Sequence, residues 1–235
     1  MKIGLMMCLC FIVTISQAQD YKKDFLQVYK NYSTKAYYTQ EVRVRSFANE
    51  GDKKASYEQQ GKIVKGEGMY FSSLGDQTTI VKEGHFLHIN KEEKRMLFYY
   101  QKEGNNQIAE QYRMLLDSIK ETDIEYLGNS NGIKKYLLKS PNQMIATTEL
   151  SLDMNKNVVA RLVYHYQSTE AHQSSFYKTI ITYKTDDRNK PTASWFDLEQ
   201  YIHLNKNRAT LKTAYKEYTL TQPQEETKQW KGLPK

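Results

Sequence analysis

Two periodicities divide this chain. From Asp20 to about Tyr32 the apolar residues Tyr21, Phe25, Val28 and Tyr32 recur at helical spacing, with Leu26 and Tyr29 beside them. That spacing predicts an amphipathic helix, and Asp20 or Asp24 near its start suits the helix dipole. From Tyr38 the period becomes two. Tyr38, Val42 and Val44 take one face while Thr39, Glu41, Arg43 and Arg45 take the other, as in a half-buried antiparallel strand.

Asn49 to Ser56 reads as a turn, and strands are predicted at Tyr57–Lys65, Met69–Ser73, Thr78–Lys82, Phe86–Asn90 and Arg95–Gln101. Gly66/Gly68, Gly75-Asp76, Glu83-Gly84 and Lys91-Glu92-Glu93 break them apart, giving a meander. Gly104-Asn105-Asn106 opens a second helix, whose stripe is Ile108, Tyr112, Leu115 and Ile119. Strands then resume at Ile124–Leu127, Lys134–Lys139, Met144–Asp153, Val158–Gln167, Phe176–Lys184, Trp195–His203 and Leu211–Leu220. The turns between them are rich in Asn, Asp and Gly, which tolerate the positive φ of tight hairpins. No strand–helix alternation supports a parallel sheet. The pattern predicts a mainly β domain over 19–221, with two helices and about eleven strands in one curved antiparallel sheet. The polar end, 222–235, is expected to fray.

The first eighteen residues form a different unit. Lys2, the apolar run Ile3 to Ile15 and the small residues of Ser16-Gln17-Ala18 are a secretory signal peptide, with Gln19 the new N-terminus. Its removal takes away both cysteines, Cys8 and Cys10. Thiol catalysis and Cys-ligated zinc are thereby excluded from the exported chain, and the address is the periplasm.

Composition sharpens this only slightly. The chain has 235 residues, a formal charge of +7, and 19 tyrosines against 8 phenylalanines; tyrosine suits strands and wet apolar surfaces. The lysines are scattered, with no Lys/Arg run longer than two, so a nucleic-acid partner is not expected. Peripheral attraction to anionic lipid is the most the charge implies for membranes. Catalytic chemistry is not in view. Gly-x-Ser-x-Gly, His-Glu-x-x-His, phosphate-loop and Ca²⁺-loop spacings are absent, and no cofactor or metal is implied. His85 and His88 would face opposite sides of a strand. His165 reads as a solvated strand residue, and the adjacent carboxylates fall in turns or the tail.

What remains is apolar surface. Leu150, Leu152 and Met154, then Val158, Leu162, Tyr164 and Tyr166, then Ile181 and Tyr183 each line one strand face. Two helices of about 20 Å have a wide sheet to cover. Either side chains fill the interior or a cavity remains for a greasy ligand; the pattern leaves both open.

The order of these segments resembles the LolA/LolB family, periplasmic carriers and receptors of lipoproteins. Ala36-Tyr37-Tyr38-Thr39-Gln40-Glu41-Val42 is similar to its first strand, and Gln60-Gly61-Lys62-Ile63-Val64-Lys65 to its second. Ile80 to Ile89 resembles the hairpin before its lid helix, here Ile108–Ile119. Tyr136 to Pro141 and Glu149–Asp153 with Val158–Tyr166 resemble its central hairpin. The family's lid-fastening arginine is absent, since Gly66-Glu67-Gly68 follows Lys65, and Asn207–Leu220 is an added hairpin-like segment. The resemblance implies an unclosed antiparallel β-barrel with two helices as a lid over an apolar cavity.

The expected function is a non-enzymatic periplasmic carrier holding an acyl chain or the lipid moiety of a lipoprotein. The candidate wall is Tyr38, Val42, Val44, Leu150, Leu152, Leu162 and Tyr164, beneath a lid carrying Phe25, Val28, Ile108, Tyr112 and Leu115. Each of these is also a fit core residue. The rival reading is a cell-envelope scaffold with a filled interior and a protein partner, an outer-membrane or other envelope protein, met through Tyr57, Tyr99, Tyr100 and Tyr177.

Overall fold

A computed structural model describes residues 21–100, 123–139, 144–169, 172–173, 175–186 and 189–223. The protein is mainly β. Its strands are β1 (Tyr38–Phe47), β2 (Tyr57–Gly66), β3 (Met69–Leu74), β4 (Gln77–Lys82), β5 (His85–Asn90), β6 (Arg95–Tyr100), β7 (Ile124–Ser130) and β8 (Ile133–Lys139). They continue with β9 (Ile145–Asp153), β10 (Val158–Tyr166), β11 (Ser168–Thr169), β12 (His172–Gln173), β13 (Lys178–Asp186), β14 (Ile202–Asn205), β15 (Arg208–Leu211) and β16 (Thr219–Thr221). Twelve form one unclosed sheet, in the order β16-β6-β5-β4-β3-β2-β1-β13-β10-β9-β8-β7. Among the described residues one α-helix, α1, spans residues 21–34. The predicted lid helix Ile108–Ile119 lies outside the described residues, as do the leader and the chain beyond Pro223.

Hairpin turns fall where residues tolerate positive φ: Glu83-Gly84 at 51° and 80°, Asn131-Gly132 at 54° and 79°, and Asn157 at 54°. Three expectations need correction. The sheet, twelve strands among the described residues, is not antiparallel throughout: β16 joins β6 in parallel. Trp195–His203 is not a strand but two 3-10 turns, Ala193–Phe196 and Leu198–Gln200, leading into β14. The Asp197 carboxylate accepts the Glu199 N–H at 2.9 Å, and this local bond draws the backbone out of an extended path. Leu211–Leu220 is likewise broken, by the 3-10 turn Thr213–Tyr215, where the Tyr215 ring meets those of Tyr201 and Tyr218, each at 5.4 Å.

The chain clusters into two compact units. The first contains α1, β1 from Gln40, and β7 to β13. Tyr21 and Val28 of α1, 1% and 2% exposed, pack with Tyr136, Leu150 and Leu152, and half-buried Phe25, Tyr126, Leu138 and Leu162 surround them. A second, smaller cluster in this unit joins Phe47, Val163 and Ile180.

The second unit contains β2 from Gly61, β3 to β6 and the segment from Asp186. Its register stacks Val64, Phe71, Ile80, Leu87 and Phe98 in one cross-strand row, each 7% exposed or less. The C-terminal segment lays Phe196, Leu198, Ile202 and Ala209 over this face, none more than 4% exposed. Gly66 makes the close approach possible: a Cβ there would lie 2.9 Å from the Phe196 ring. The Gln222 carboxamide accepts the Ala209 N–H and donates to the Ala209 carbonyl, both at 2.8 Å. It pairs with β15 as a strand would.

Candidate functional site

Each unit presents an apolar face, and the two differ in what covers them. In the first, Gln40 Nε2 donates to Thr185 Oγ1 at 3.0 Å, and Ser46 Oγ lies 2.8 Å from Thr179 Oγ1. These contacts bracket β1 against β13 and set Val42 and Val44 between them on the same face, because alternate residues share a side. Across β10 and β9, Ile181 pairs with Leu162 and Leu162 with Leu150, so this face continues to the cluster beneath α1.

The residues named from the sequence distribute as follows. Phe25, Val28, Leu150, Leu152 and Leu162 come together in one packed cluster. Val42, 8% exposed, and half-buried Val44 stand on the same face at β1. Tyr164 is half-buried beside Leu162 and pairs with Thr148 and Thr179. Tyr38 is half-buried, with Lys65 Nζ 5.9 Å from its ring centroid. Ile108, Tyr112 and Leu115 lie outside the described residues.

Polar contacts fix α1 on its face. Asp24, 4% exposed, accepts from Tyr136 Oη at 2.5 Å and from Lys134 Nζ at 2.6 Å. Gln27 Nε2 donates to Asn157 Oδ1 at 2.7 Å, and Asn31 Nδ2 to the Asn157 carbonyl at 2.8 Å. Tyr32 Oη accepts from Gln40 Nε2 and from the Val159 N–H. A buried carboxylate is tolerated only with such partners. Sequence reasoning placed Asp24 at the helix dipole and missed this network.

The second unit holds a feature the sequence reading did not single out. Opposite the covered face, the register aligns Lys65, Tyr70, Val81, Phe86 and Tyr99 in one row, and Ile63, Ser72, Thr79, His88 and Leu97 in the next. All ten are half-buried. The Phe86 and Tyr99 rings stack at 4.5 Å. Burial pushes the Tyr99 phenol up and holds the Lys65 ammonium below its ordinary value, as apolar surroundings do to charge. Toward β16 the face meets an open cleft of about 290 Å³ lined by His88, Asn90, Arg95, Leu97 and Thr221 among others. The signal for this face was present in adjacent apolar residues, Ile80-Val81, Phe86-Leu87 and Met96-Leu97-Phe98-Tyr99-Tyr100. A strand buried on one side alternates, whereas one apolar on both sides does not.

Neither His85 nor His88 belongs to a group of three potential metal ligands among the described residues. His88 Nδ1 lies 3.0 Å from Thr79 Oγ1, and the His85 ring stacks on Phe98 at 5.8 Å, on the covered face. His165 is not simply solvated: its Nε2 lies 2.9 Å from Glu149 Oε1. Among the described residues no three potential metal ligands converge. Of the tyrosines proposed for a partner, Tyr57 and Tyr100 are 43% and 37% exposed; Tyr99 stacks on Phe86, and Tyr177 meets Glu50.

No family model and no curated protein matches the chain. Among solved structures it is similar to an uncharacterized conserved protein from Thermus thermophilus, at 12% identity over 87% of this chain and 99% of that one, with a TM-score of 0.48. It is also similar to a LolA superfamily protein from Nitrosomonas europaea, at 9% identity over 76% and 98%, TM-score 0.33. A third is the MucA/MucB complex of Pseudomonas aeruginosa, at 11% identity over 77% of this chain but 60% of that one, TM-score 0.38. At these scores they are likenesses of arrangement and assign nothing beyond it.

Proposed function

We propose that this chain is an exported, non-enzymatic binding protein of the bacterial envelope that holds an acyl chain, free or on a lipidated partner. The observation that supports this reading most is the half-buried apolar face of β2–β6. Its opposite side is sealed by the protein's own C-terminal segment, while Ile63, Tyr70, Val81, Phe86, Leu97 and Tyr99 remain partly open. A hydrocarbon chain laid along these rows exchanges water for apolar contact at about 0.8 kcal/mol per CH₂, roughly 9 kcal/mol for twelve carbons before ordering costs. The first unit's face, from Val42 to Leu162, is also apolar, but its β9–β10 end is covered by α1.

The test is displacement of an environment-sensitive acyl dye, with native mass spectrometry of protein purified without detergent. A reproducible stoichiometry, with Phe86→Ser weakening dye binding and Leu26→Ser leaving it unchanged, is expected. A protein that carries no lipid and binds no dye overturns the reading. It would favour the alternative, an envelope interaction module, for which exposed Tyr57 and Tyr100 are the natural contacts.

A further inference from the structure

The outer side of α1 has a chemistry that the sheet faces do not share. Successive helical residues turn by about 100°, so Lys22, Leu26, Lys30 and Lys23 fall in that order on one arc of roughly 100°. All four are exposed, Leu26 at 52%. The helix's acidic residue, Asp24, sits on the opposite side, bonded to Lys134 and Tyr136, so among the described residues of α1 the charged side chains on the outer arc are all lysines. The β9–β10 turn flanks it on the side beyond Lys23. Gln27 and Asn31 bond to Asn157, which sets exposed Lys156 alongside the helix.

A lone exposed leucine needs no explanation. A leucine centred among lysines on a helix held in place by buried polar contacts has the chemistry of a helix lying in a headgroup layer, apolar tip inward and cations to the phosphates. We propose that α1 is the surface by which the protein docks reversibly on an anionic phospholipid bilayer, with Leu26 entering the headgroup layer and Lys22, Lys23, Lys30 and Lys156 meeting its charge. A protein partner fits less well. The arc is the convex exterior of one helix with a single apolar residue, short of the apolar centre that a protein interface has. Docking is independent of the acyl-ligand reading, because it concerns where the protein rests and is measured without any acyl ligand.

The experiment is co-sedimentation of the chain from Gln19 onward with vesicles of phosphatidylglycerol and phosphatidylcholine, and with phosphatidylcholine alone. Binding to the anionic vesicles only, reversed by about 0.5 M salt, is expected. Each lysine at such a surface contributes about 1 kcal/mol, near fivefold in partitioning. The triple variant K22Q/K23Q/K30Q should therefore lose about a hundredfold. K53Q/K54Q/K91Q, with the same net charge and all three positions exposed, should stay within about twofold, and L26A should lose a few-fold. Circular dichroism checks that each variant is folded. Equal losses in the two triple variants, equal binding to neutral vesicles, or no binding at all would each overturn the proposal.

Discussion

The two units cover an apolar sheet face by different means. In the first, a helix lies on the sheet and is pinned by hydrogen bonds: Asp24 to Lys134 and Tyr136, Gln27 and Asn31 to Asn157, Tyr32 to Gln40 and Val159. In the second, short turns and a hairpin are seated by shape, with Phe196 against Gly66 and the Phe71 ring 5.0 Å from that of Trp195. A straight helix with a broad apolar stripe can slide or roll on a sheet, because apolar contact is non-directional. Hydrogen bonds restrict both motions. A folded-over segment with bulky rings is located by the holes it fills.

The sharpest way to break this contrast is to remove the pin. Asp24→Ala leaves the buried Tyr136 hydroxyl and the half-buried Lys134 ammonium without their carboxylate, at a cost of at most about 3–5 kcal/mol, the value for a fully buried pair. Denaturant unfolding reads the loss, and hydrogen exchange should place it at α1 and β8, with β3–β6 amides unaffected below global unfolding. A loss spread evenly over both units, or one under about 1 kcal/mol, would mean that the apolar contacts alone hold the helix.

The second comparison is between the two sides of one sheet. Leu87, fully buried between Ile80 and Phe98, should cost about 2–5 kcal/mol on truncation to Ala. Phe86, its half-buried neighbour on the other side, should cost no more than about 1.5 kcal/mol as Phe86→Ala while reducing acyl-dye binding. Equal stability losses would show that the Phe86 face is core, and the ligand reading would lose its main support.

These positions also show what the sequence made legible. Period-two alternation placed β1, β9 and β10 and put Val42, Val44, Leu150, Leu152 and Leu162 on one face. Asn131-Gly132 and Glu83-Gly84 marked hairpins because their backbones need positive φ. Strands β3 to β6 are apolar at both parities, so periodicity cannot say which side the protein covers itself; that depends on a segment a hundred residues later in the chain. The pin escapes for the same reason: Asp24 and Lys134 are distant in sequence, and a carboxylate in a first helical turn already has a local explanation. The turns at 193–200 escape because a strand and a 3-10 segment can bury the same residues, here Phe196 and Leu198.

A smaller effect tests the seating of the second cover. Gly66→Ala places a methyl 2.9 Å from the Phe196 ring, and overpacking of this kind costs about 1–3 kcal/mol. Phe196→Leu in the same chain should recover part of that loss, since a shorter side chain makes room. A double variant no better than the sum of the two single changes would mean that Phe196 does not set the approach.

The smallest predicted effect belongs to the helix cover and appears only in alkali. Burial raises the Tyr21 phenol well above its ordinary value, because the phenolate would be stranded among apolar rings. In the unfolded chain the same phenol ionises near pH 10. Above that point the unfolded state has released a proton that the folded state still holds, so stability falls as pH rises, by at most about 1.4 kcal/mol per pH unit for one group. Below pH 10 this residue contributes no pH dependence. Other tyrosines and lysines titrate in the same range, so the measurement is a difference: urea unfolding of the protein and of Tyr21→Phe at pH 8, 10 and 11. The two should run parallel from pH 8 to 10 and converge or cross above it, as only the tyrosine form loses this increment. Parallel curves throughout would mean that solvent reaches the Tyr21 hydroxyl, and that the first turn of α1 opens while the contacts at Asn31 and Tyr32 stay closed.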